Sequence, residues 1–264
     1  LATHYPNFHI LRENPYKYEN EYFYINISGI REYISNALLC EQSLISDKIH
    51  INDFITMIFL TGNDFLPHLP TIEILEGGVD VLFETYRNVS KKYGSLTNNI
   101  EKINLNFLRS FLGTLSINEY PFLNEKRIKP INYPDILLDK HTKMNKENGK
   151  YSLDFSSYKK EYYSTKMNIK TDEEIKYACL KYIEGLHWIL TYYTKGVTNW
   201  RWFYPYHYAP FISDIVNYME ELDIPYIVEK TEKSKNYPYL PFLQLLCVLP
   251  KKSSNLLPQP LNNI

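Results

Sequence analysis

Ile51-Asn52-Asp53-Phe54-Ile55-Thr56-Met57-Ile58-Phe59-Leu60-Thr61-Gly62-Asn63-Asp64-Phe65-Leu66-Pro67-His68-Leu69-Pro70 is the stretch on which the reading of this chain turns. Ile51, Phe54, Ile55, Ile58 and Phe59 fall at i, i+3, i+4, i+7 and i+8, which places one apolar face on a helix with Asn52 or Asp53 near its start. Gly62 ends that helix, since glycine tolerates the left-handed backbone that closes a last turn. Asp64 follows on a turn eased by Gly62 and Asn63, and from there a carboxylate can point into a cleft as a hard oxygen ligand for Mg²⁺. Taken alone, Asp64 fits a plainer role better: a turn residue capping the next helix, because Asn and Asp favour turns for local hydrogen-bonding reasons. His68 reads as a partly buried turn residue, with no second histidine at metal-ligand spacing.

Outward from this stretch the periodicity is mainly helical. Glu21 to Ser28, with Tyr22, Phe23, Tyr24, Ile25 and Ile27, fits a short buried strand. Apolar positions three and four apart then predict helices from Ser28 or Gly29 through Leu38, from Ile72 to Val89 with an interruption at Gly77 and Gly78, and from Leu105 to Leu115. Between Glu125 and Thr171 the apolar period fades among Lys126, Arg127, Lys129, Lys140, Lys143, Lys146 and Lys150, with Pro130, Pro134 and Gly149. That span reads as a surface linker with a short helix near Tyr158 to Met167. The longest stripe follows, from Ile175 through Tyr182, Leu186 and Ile189 to Tyr193, with Gly196 as its stop. A Trp- and Tyr-rich loop, Val197 to Pro210, leads to a helix through Ile212, Ile215 and Met219, and Phe242 to Leu249 forms a last helix closed by Pro250.

Composition bounds the function classes. The 264 residues are 44% hydrophobic and 22% charged, which excludes extended disorder for most of the chain. The richest apolar run, Ile51 to Leu60, carries Asn52, Asp53 and Thr56, so no membrane span is expected. Three scattered cysteines, Cys40, Cys179 and Cys247, suggest neither a disulfide framework nor a cysteine-rich zinc site, and favour a reducing compartment. With 29 basic and 30 acidic side chains the chain lacks the strongly basic balance of a simple nucleic-acid-binding domain; any such binding must use a local patch. The opening Leu1-Ala2-Thr3-His4 has neither initiator methionine nor the basic and apolar regions of a signal peptide, and a piece of a longer protein is expected.

A second candidate is Asn199-Trp200-Arg201-Trp202-Phe203-Tyr204-Pro205-Tyr206-His207-Tyr208-Ala209-Pro210. Indole and phenol rings beside an arginine can stack on unpaired bases. In an extended loop Trp200 and Trp202 would share one face, with Arg201 and Phe203 on the other. Packing of the long helix against its neighbours accounts for the same aromatics. The lysines of the 125–171 span can contact phosphates, yet they follow no periodic face and fit a solvated connection better.

Taken together, the two segments are more specific than either alone. Phe59 through Pro70, with Glu73 and the Glu76-Gly77 step, resembles the signature of the Xrn-type 5′-to-3′ exoribonucleases. Tyr182-Ile183-Glu184-Gly185-Leu186-His187-Trp188-Ile189-Leu190, Tyr192-Tyr193, Gly196 and Trp200 through Pro210 resemble the second conserved region of that family, in the same order. Leu1 to His4, Arg31-Glu32-Tyr33, Gln244 to Leu246, Leu249-Pro250 and Ser253 also match.

The resemblance implies a mostly α fragment with a minor β component, the helical portion of a flap-endonuclease or PIN-like α/β nuclease core. It divides the chain into the distal part of the first conserved nuclease region (1–124), a variable polar linker (125–171) and part of the second conserved region (172–264). It also implies Asp64 as a catalytic metal ligand, Mg²⁺ or Mn²⁺ as cofactor, and Trp200 or Trp202 as the ring that stacks on RNA. The implied partners are 5′-monophosphorylated single-stranded RNA, the remaining catalytic region of the same enzyme and decapping factors. The implied location is the cytoplasm, with the nucleus as the alternative. The family's Asp-Ala-Asp element and basic 5′-phosphate residues would precede Leu1, so the chain is expected to be inactive alone. The other reading is a non-catalytic RNA-binding or RNA-decay scaffold module.

Overall fold

The computed structural model describes residues 7–15, 21–39, 46–98, 102–126, 135–144, 149–221, 229, 236–259 and 261. The matches at Leu1 to His4 and the basic and proline positions within 127–134 and 145–148 lie outside the described residues. The fold is mostly helical, with three small antiparallel two-stranded sheets among the described residues.

The first sheet pairs β1 (His9–Glu13) with β2 (Tyr22–Asn26), so that Ile10 lies opposite Ile25 and Arg12 opposite Phe23. The strand expected at Glu21 to Ser28 is present, but it is exposed rather than buried: Tyr24 is 68% accessible, and Tyr22 and Phe23 are also open. Its aromatic and β-branched content favours the pleat, while no element among the described residues covers it. Asn26 ends the strand and caps α1 (Ile27–Leu38), its side-chain oxygen accepting the Ser28 N–H at 2.9 Å.

Helix α2 (Asp47–Ile58) starts at Asp47, not at Asn52 or Asp53. The apolar period could not separate a cap from an interior polar residue, and Asp53 proves to be fully buried in mid-helix. Its Oδ2 accepts the Tyr86 hydroxyl at 2.6 Å and the Leu96 N–H at 2.8 Å. Its Oδ1 accepts the Thr97 N–H at 2.8 Å and the Thr97 hydroxyl at 2.5 Å. Tyr86 belongs to α3 (Gly78–Tyr93), and Thr97 opens the short hairpin of β3 (Thr97–Asn98) and β4 (Lys102–Ile103), so one carboxylate ties three elements together. Burial holds the Asp53 pKa above the ordinary carboxylate value, and these four donors offset only part of that rise.

The interruption expected at Gly77 and Gly78 is real. A 3-10 turn, Ile74–Glu76, ends at Gly77 (φ +81°), and α3 begins at Gly78, where a Cβ would lie 2.7 Å from the Glu73 carbonyl oxygen. Helix α4 (Leu105–Ile117) packs against α3, with Asn104 capping it through the Phe107 N–H. The main core gathers Leu38, Ile51, Met57, Leu60, Leu82, Tyr86, Phe107, Phe111 and Ile183.

The 125–171 span is not a surface linker over its described residues. After α5 (Glu119–Lys126) come α6 (Ile136–His141), a hairpin of β5 (Thr142–Met144) and β6 (Tyr151–Leu153), and α7 (Phe155–Lys166). Leu138, Leu153, Tyr158, Tyr162, Tyr163 and Met167 join Leu123 and Phe211 in a second core. Three of its members are tyrosines, Tyr158, Tyr162 and Tyr163, and its aliphatic members from this span, Leu138, Leu153 and Ile169, lie too far apart in sequence to form a stripe. Four of the span's lysines form ion pairs: Lys126 with Glu73 and Glu76, Lys140 with Glu161, Lys159 with Asp214, and Lys166 with Asp135.

Helix α8 (Asp172–Lys195) serves both cores, with Ala178 in the second, Tyr182, Ile183 and Ile189 in the first, and Ile175 packed against each. Thr171 and Glu174 form a reciprocal capping box, Asp172 and Glu173 add negative charge at the first turn, and Gly196 (φ +92°) terminates the helix. Helix α9 (Ile212–Met219) lies against α4 and α8. The buried Glu119 carboxylate caps it, accepting the Ile212 and Ser213 N–H groups at 2.5 and 3.0 Å. Helix α10 (Pro241–Val248) is largely exposed.

Candidate functional site

The turn after α2 is built by three local devices. A 3-10 turn, Phe59–Thr61, carries the chain to Gly62, whose φ of +92° suits glycine and where a Cβ would lie 3.0 Å from the His68 nitrogen. Asn63 then folds the turn: its Oδ1 accepts the Phe65 and Leu66 N–H groups at 2.9 and 3.0 Å, and its own N–H donates to the Leu66 carbonyl at 2.9 Å. The Leu69 N–H closes the loop onto the Leu60 carbonyl at 3.0 Å. Asn63 therefore takes the role expected of a turn aspartate. Asp64 is exposed, caps no helix, and has no hydrogen bond or ion pair to any described residue.

The residues after Asp64 are anchored on α8. Phe65 sets its ring edge against Trp188 (5.0 Å between centroids) and Tyr192 (5.3 Å). Leu66 is buried, and the Pro67 carbonyl accepts the Tyr182 hydroxyl at 3.1 Å. Tyr182, Gly185, Trp188 and Tyr192 recur every three or four residues and so form one stripe along α8.

The aromatic loop meets the same stripe. Trp202 stacks on Trp188 at 4.9 Å and 23°, Trp188 stacks on Tyr192 at 5.5 Å and 3°, and the Trp188 indole N–H donates to the Asn199 carbonyl at 3.0 Å. The expected strand-like alternation is absent, because a turn at Trp200–Arg201 rotates the chain. Trp200 is 49% exposed and Phe203 71%, while Trp202 is withdrawn into the stack. The Trp200 N–H is held by Asn236 at 2.6 Å, and Arg201 lies 5.4 Å from the Tyr239 ring. Further along, Tyr204 packs edge-on against Tyr182, and the Ala209 carbonyl accepts the Tyr162 hydroxyl at 2.9 Å, so this end of the loop is structural support.

A cleft of about 220 Å³ opens beside the turn, with Pro67, His68, His207 and Tyr208 among its walls. Its lysines are paired with carboxylates: Lys126 sits 2.5 Å from Glu73 and 3.2 Å from Glu76 behind the wall, and Lys166 sits 3.4 Å from Asp135. Burial alone would weaken the Lys126 charge, but Glu73 and Glu76 outweigh it and hold its pKa above the ordinary value. Glu73 and Glu76 are thus partners of a lysine. No periodicity or spacing announces this pairing, since Lys126 lies in the span that reads as linker. His187, buried on α8, has its imidazole pulled down to about 4 by desolvation and is neutral at pH 7.

Asp64 does not by itself make a cation site. Among the described residues no group of three or more His, Cys, Asp or Glu side chains is placed to hold a metal ion, so the residues present do not fit one unaided. No helix among the described residues is long and apolar enough to cross a membrane.

A mostly helical unit that pins an acidic turn and an aromatic loop to one face of a single helix is the class of structure these elements define. The model of the Xrn1 helical domain family matches residues 45–148 and 124–264, and the chain belongs to that family. It is 32% identical to human 5'-3' exoribonuclease 1, over 91% of this chain and 17% of the human protein. It is 29% identical to the Drosophila melanogaster 5'-3' exoribonuclease 2 homolog and 27% identical to Arabidopsis thaliana 5'-3' exoribonuclease 2, over 92% and 90% of this chain and 32% of each relative. The chain thus spans about a third or less of the length of these relatives.

Proposed function

We propose that this chain contributes to the catalytic region of a 5′-to-3′ exoribonuclease that degrades 5′-monophosphorylated single-stranded RNA with Mg²⁺ or Mn²⁺. The observation that carries the reading is Asp64, relieved of turn duty by Asn63 and left with a free carboxylate one residue from the Phe65 contact with the aromatic stack. In this reading Asp64 offers one oxygen ligand to a cation whose other ligands lie in the remaining catalytic region, of the flap-endonuclease or PIN-like type. A lone carboxylate holds divalent cations poorly, and no catalytic step is assigned to these residues without the others. Trp200, the exposed indole, is the ring offered to an unpaired base, and Trp202 holds the loop that presents it. Decapping factors are the proposed suppliers of monophosphorylated ends. The cytoplasm is the proposed location and the nucleus the alternative, since relatives named exoribonuclease 1 and exoribonuclease 2 both match.

The test is Asp64→Ala in the full-length protein, assayed with Mg²⁺ on 3′-labelled RNA bearing a 5′-monophosphate or a 5′-triphosphate. Turnover of the monophosphate RNA is expected to fall by roughly 100-fold or more, with RNA affinity retained. Unchanged turnover would reduce Asp64 to a surface residue. A wild-type protein that binds this RNA without cleaving it would instead favour the non-catalytic RNA-decay scaffold.

A further inference from the structure

Gly185 lies on α8 where the acidic turn and the aromatic loop converge. A Cβ added there would sit 2.8 Å from Leu66 Cδ2 and 2.9 Å from both Trp202 Cζ2 and Trp202 Cη2. These distances are well inside carbon–carbon contact, so something must shift. Leu66 meets Gly185 with the end of a flexible side chain and can rotate away. Trp202 meets it with the rigid edge of an indole already stacked on Trp188, and that ring cannot yield without moving the loop it belongs to. The residue's backbone is ordinary helix, so glycine is not required there for its conformational freedom. Alanine would be the better helix former at the same position. What the missing side chain supplies is close approach.

We infer that Gly185 is a positioning residue that sets the distance between the turn bearing Asp64 and the loop bearing Trp200. The inference rests on the proposed function, in which one group meets the cation and the other the base of the same RNA. Two segments more than a hundred residues apart touch α8 through its stripe, and at Gly185 both come within 2.8–2.9 Å of where a side chain would begin. Tyr182 below meets both segments through Pro67 and Tyr204, and Trp188 above meets both through Phe65 and Trp202, but at Gly185 the approach depends on a missing side chain. A side chain at Gly185 would therefore leave both functional groups present and the fold intact while changing their separation.

The experiment compares Gly185→Ala with Gly113→Ala in the full-length protein. Gly113 also lies inside a helix, α4, but an added Cβ there meets nothing within 4 Å, so it controls for the glycine-to-alanine change itself. Degradation of 5′-monophosphorylated single-stranded RNA is followed with Mg²⁺, and near-ultraviolet circular dichroism reports the Trp188–Trp202 stack independently of activity. Gly185→Ala is expected to lower kcat between about 10-fold and 100-fold with KM unchanged, as for a reacting group displaced by an ångström or less. Its near-ultraviolet spectrum should change, and its unfolding should remain one cooperative transition, at a midpoint below that of Gly113→Ala because the added methyl overpacks the stack. Adding Trp202→Phe, whose smaller ring lacks the outer indole carbons, should recover much of the lost kcat. Wild-type kcat in Gly185→Ala would overturn the inference and leave the proposed function standing. A loss of kcat that Trp202→Phe does not relieve, or that follows a loss of folded protein, would also overturn it. Absence of nuclease activity in the wild type would overturn the proposed function, and this inference with it.

Discussion

Asp53→Asn isolates what a buried carboxylate contributes that its neutral isostere does not. Each carboxylate oxygen of Asp53 faces one backbone N–H and one hydroxyl: Leu96 and Tyr86 at Oδ2, Thr97 twice at Oδ1. An asparagine amide, in either orientation, turns its NH₂ toward one of these pairs. The hydroxyl of that pair can rotate and accept, but the backbone N–H cannot, so one buried donor is left unpaired at a cost of about 1–3 kcal/mol. Burial already raises the Asp53 pKa, so removing the charge recovers part of its desolvation cost, and the net loss should fall near the lower half of that range. For a chain of this length the melting temperature should drop by roughly 2–8 °C, with the urea m-value unchanged. Asp53→Ala abandons all four donors and should cost roughly 3–5 kcal/mol. Thermal and urea unfolding near pH 7.5 measure both. An Asp53→Asn protein as stable as wild type would refute the assignment of Asp53 as the charged tie between α2, α3 and the β3–β4 hairpin.

His187 should make stability depend on pH. Its folded pKa of about 4 lies below the ordinary value of 6.5, so the unfolded chain takes up a proton first. The stability from its burial is complete above pH 6.5 and is lost as pH falls toward 4, by up to about 3 kcal/mol; His187→Gln should flatten that part of a urea-midpoint titration, and an unaltered slope would count against it. The two loop tryptophans should separate by readout. Trp200→Ala is expected to weaken single-stranded RNA binding by roughly 1–3 kcal/mol without moving the melting temperature, whereas Trp202→Ala should cost roughly 3 kcal/mol of folding stability; fluorescence anisotropy and thermal denaturation of both variants test the split, which equal stability losses would contradict.

Much of the helical skeleton is legible in the sequence because its faces are aliphatic and its ends marked. Gly62 and Gly196 announce their boundaries, and Leu105 to Leu115 carries a clean period. The failures have physical causes. Asp53 looks like a cap because a buried polar residue and a helix-opening one share a residue type, and only the distant Thr97 and Tyr86 distinguish them. The span from 125 to 171 looks like a linker because Tyr158, Tyr162 and Tyr163, which read as half polar, share its core with the widely spaced Leu138, Leu153 and Ile169. The β2 strand reads as buried from composition, which measures fitness for a sheet and not the presence of a cover. At the site, the two motifs are visible in sequence, but their meeting on α8 is not, and neither is the exchange of roles between Asn63 and Asp64. Extended alternation predicts Trp200 and Trp202 on one face; a single turn at Trp200–Arg201 sends them to different surroundings.

Because α8 lends side chains to both cores, opening of either is expected to loosen the other. Loss of the second cluster strips Ala178 and Ile175 from the first turns of a helix whose later turns carry Tyr182, Ile183 and Ile189, so unzipping at one end loosens the other. Amide protons in the middle of α8 should accordingly exchange with deuterium only when the whole unit opens, while those of the exposed β1–β2 ribbon exchange through local fraying. The long helix is therefore a kinetic bolt as much as a scaffold: its slowest amides mark the lifetime during which acidic turn and aromatic loop stay in register.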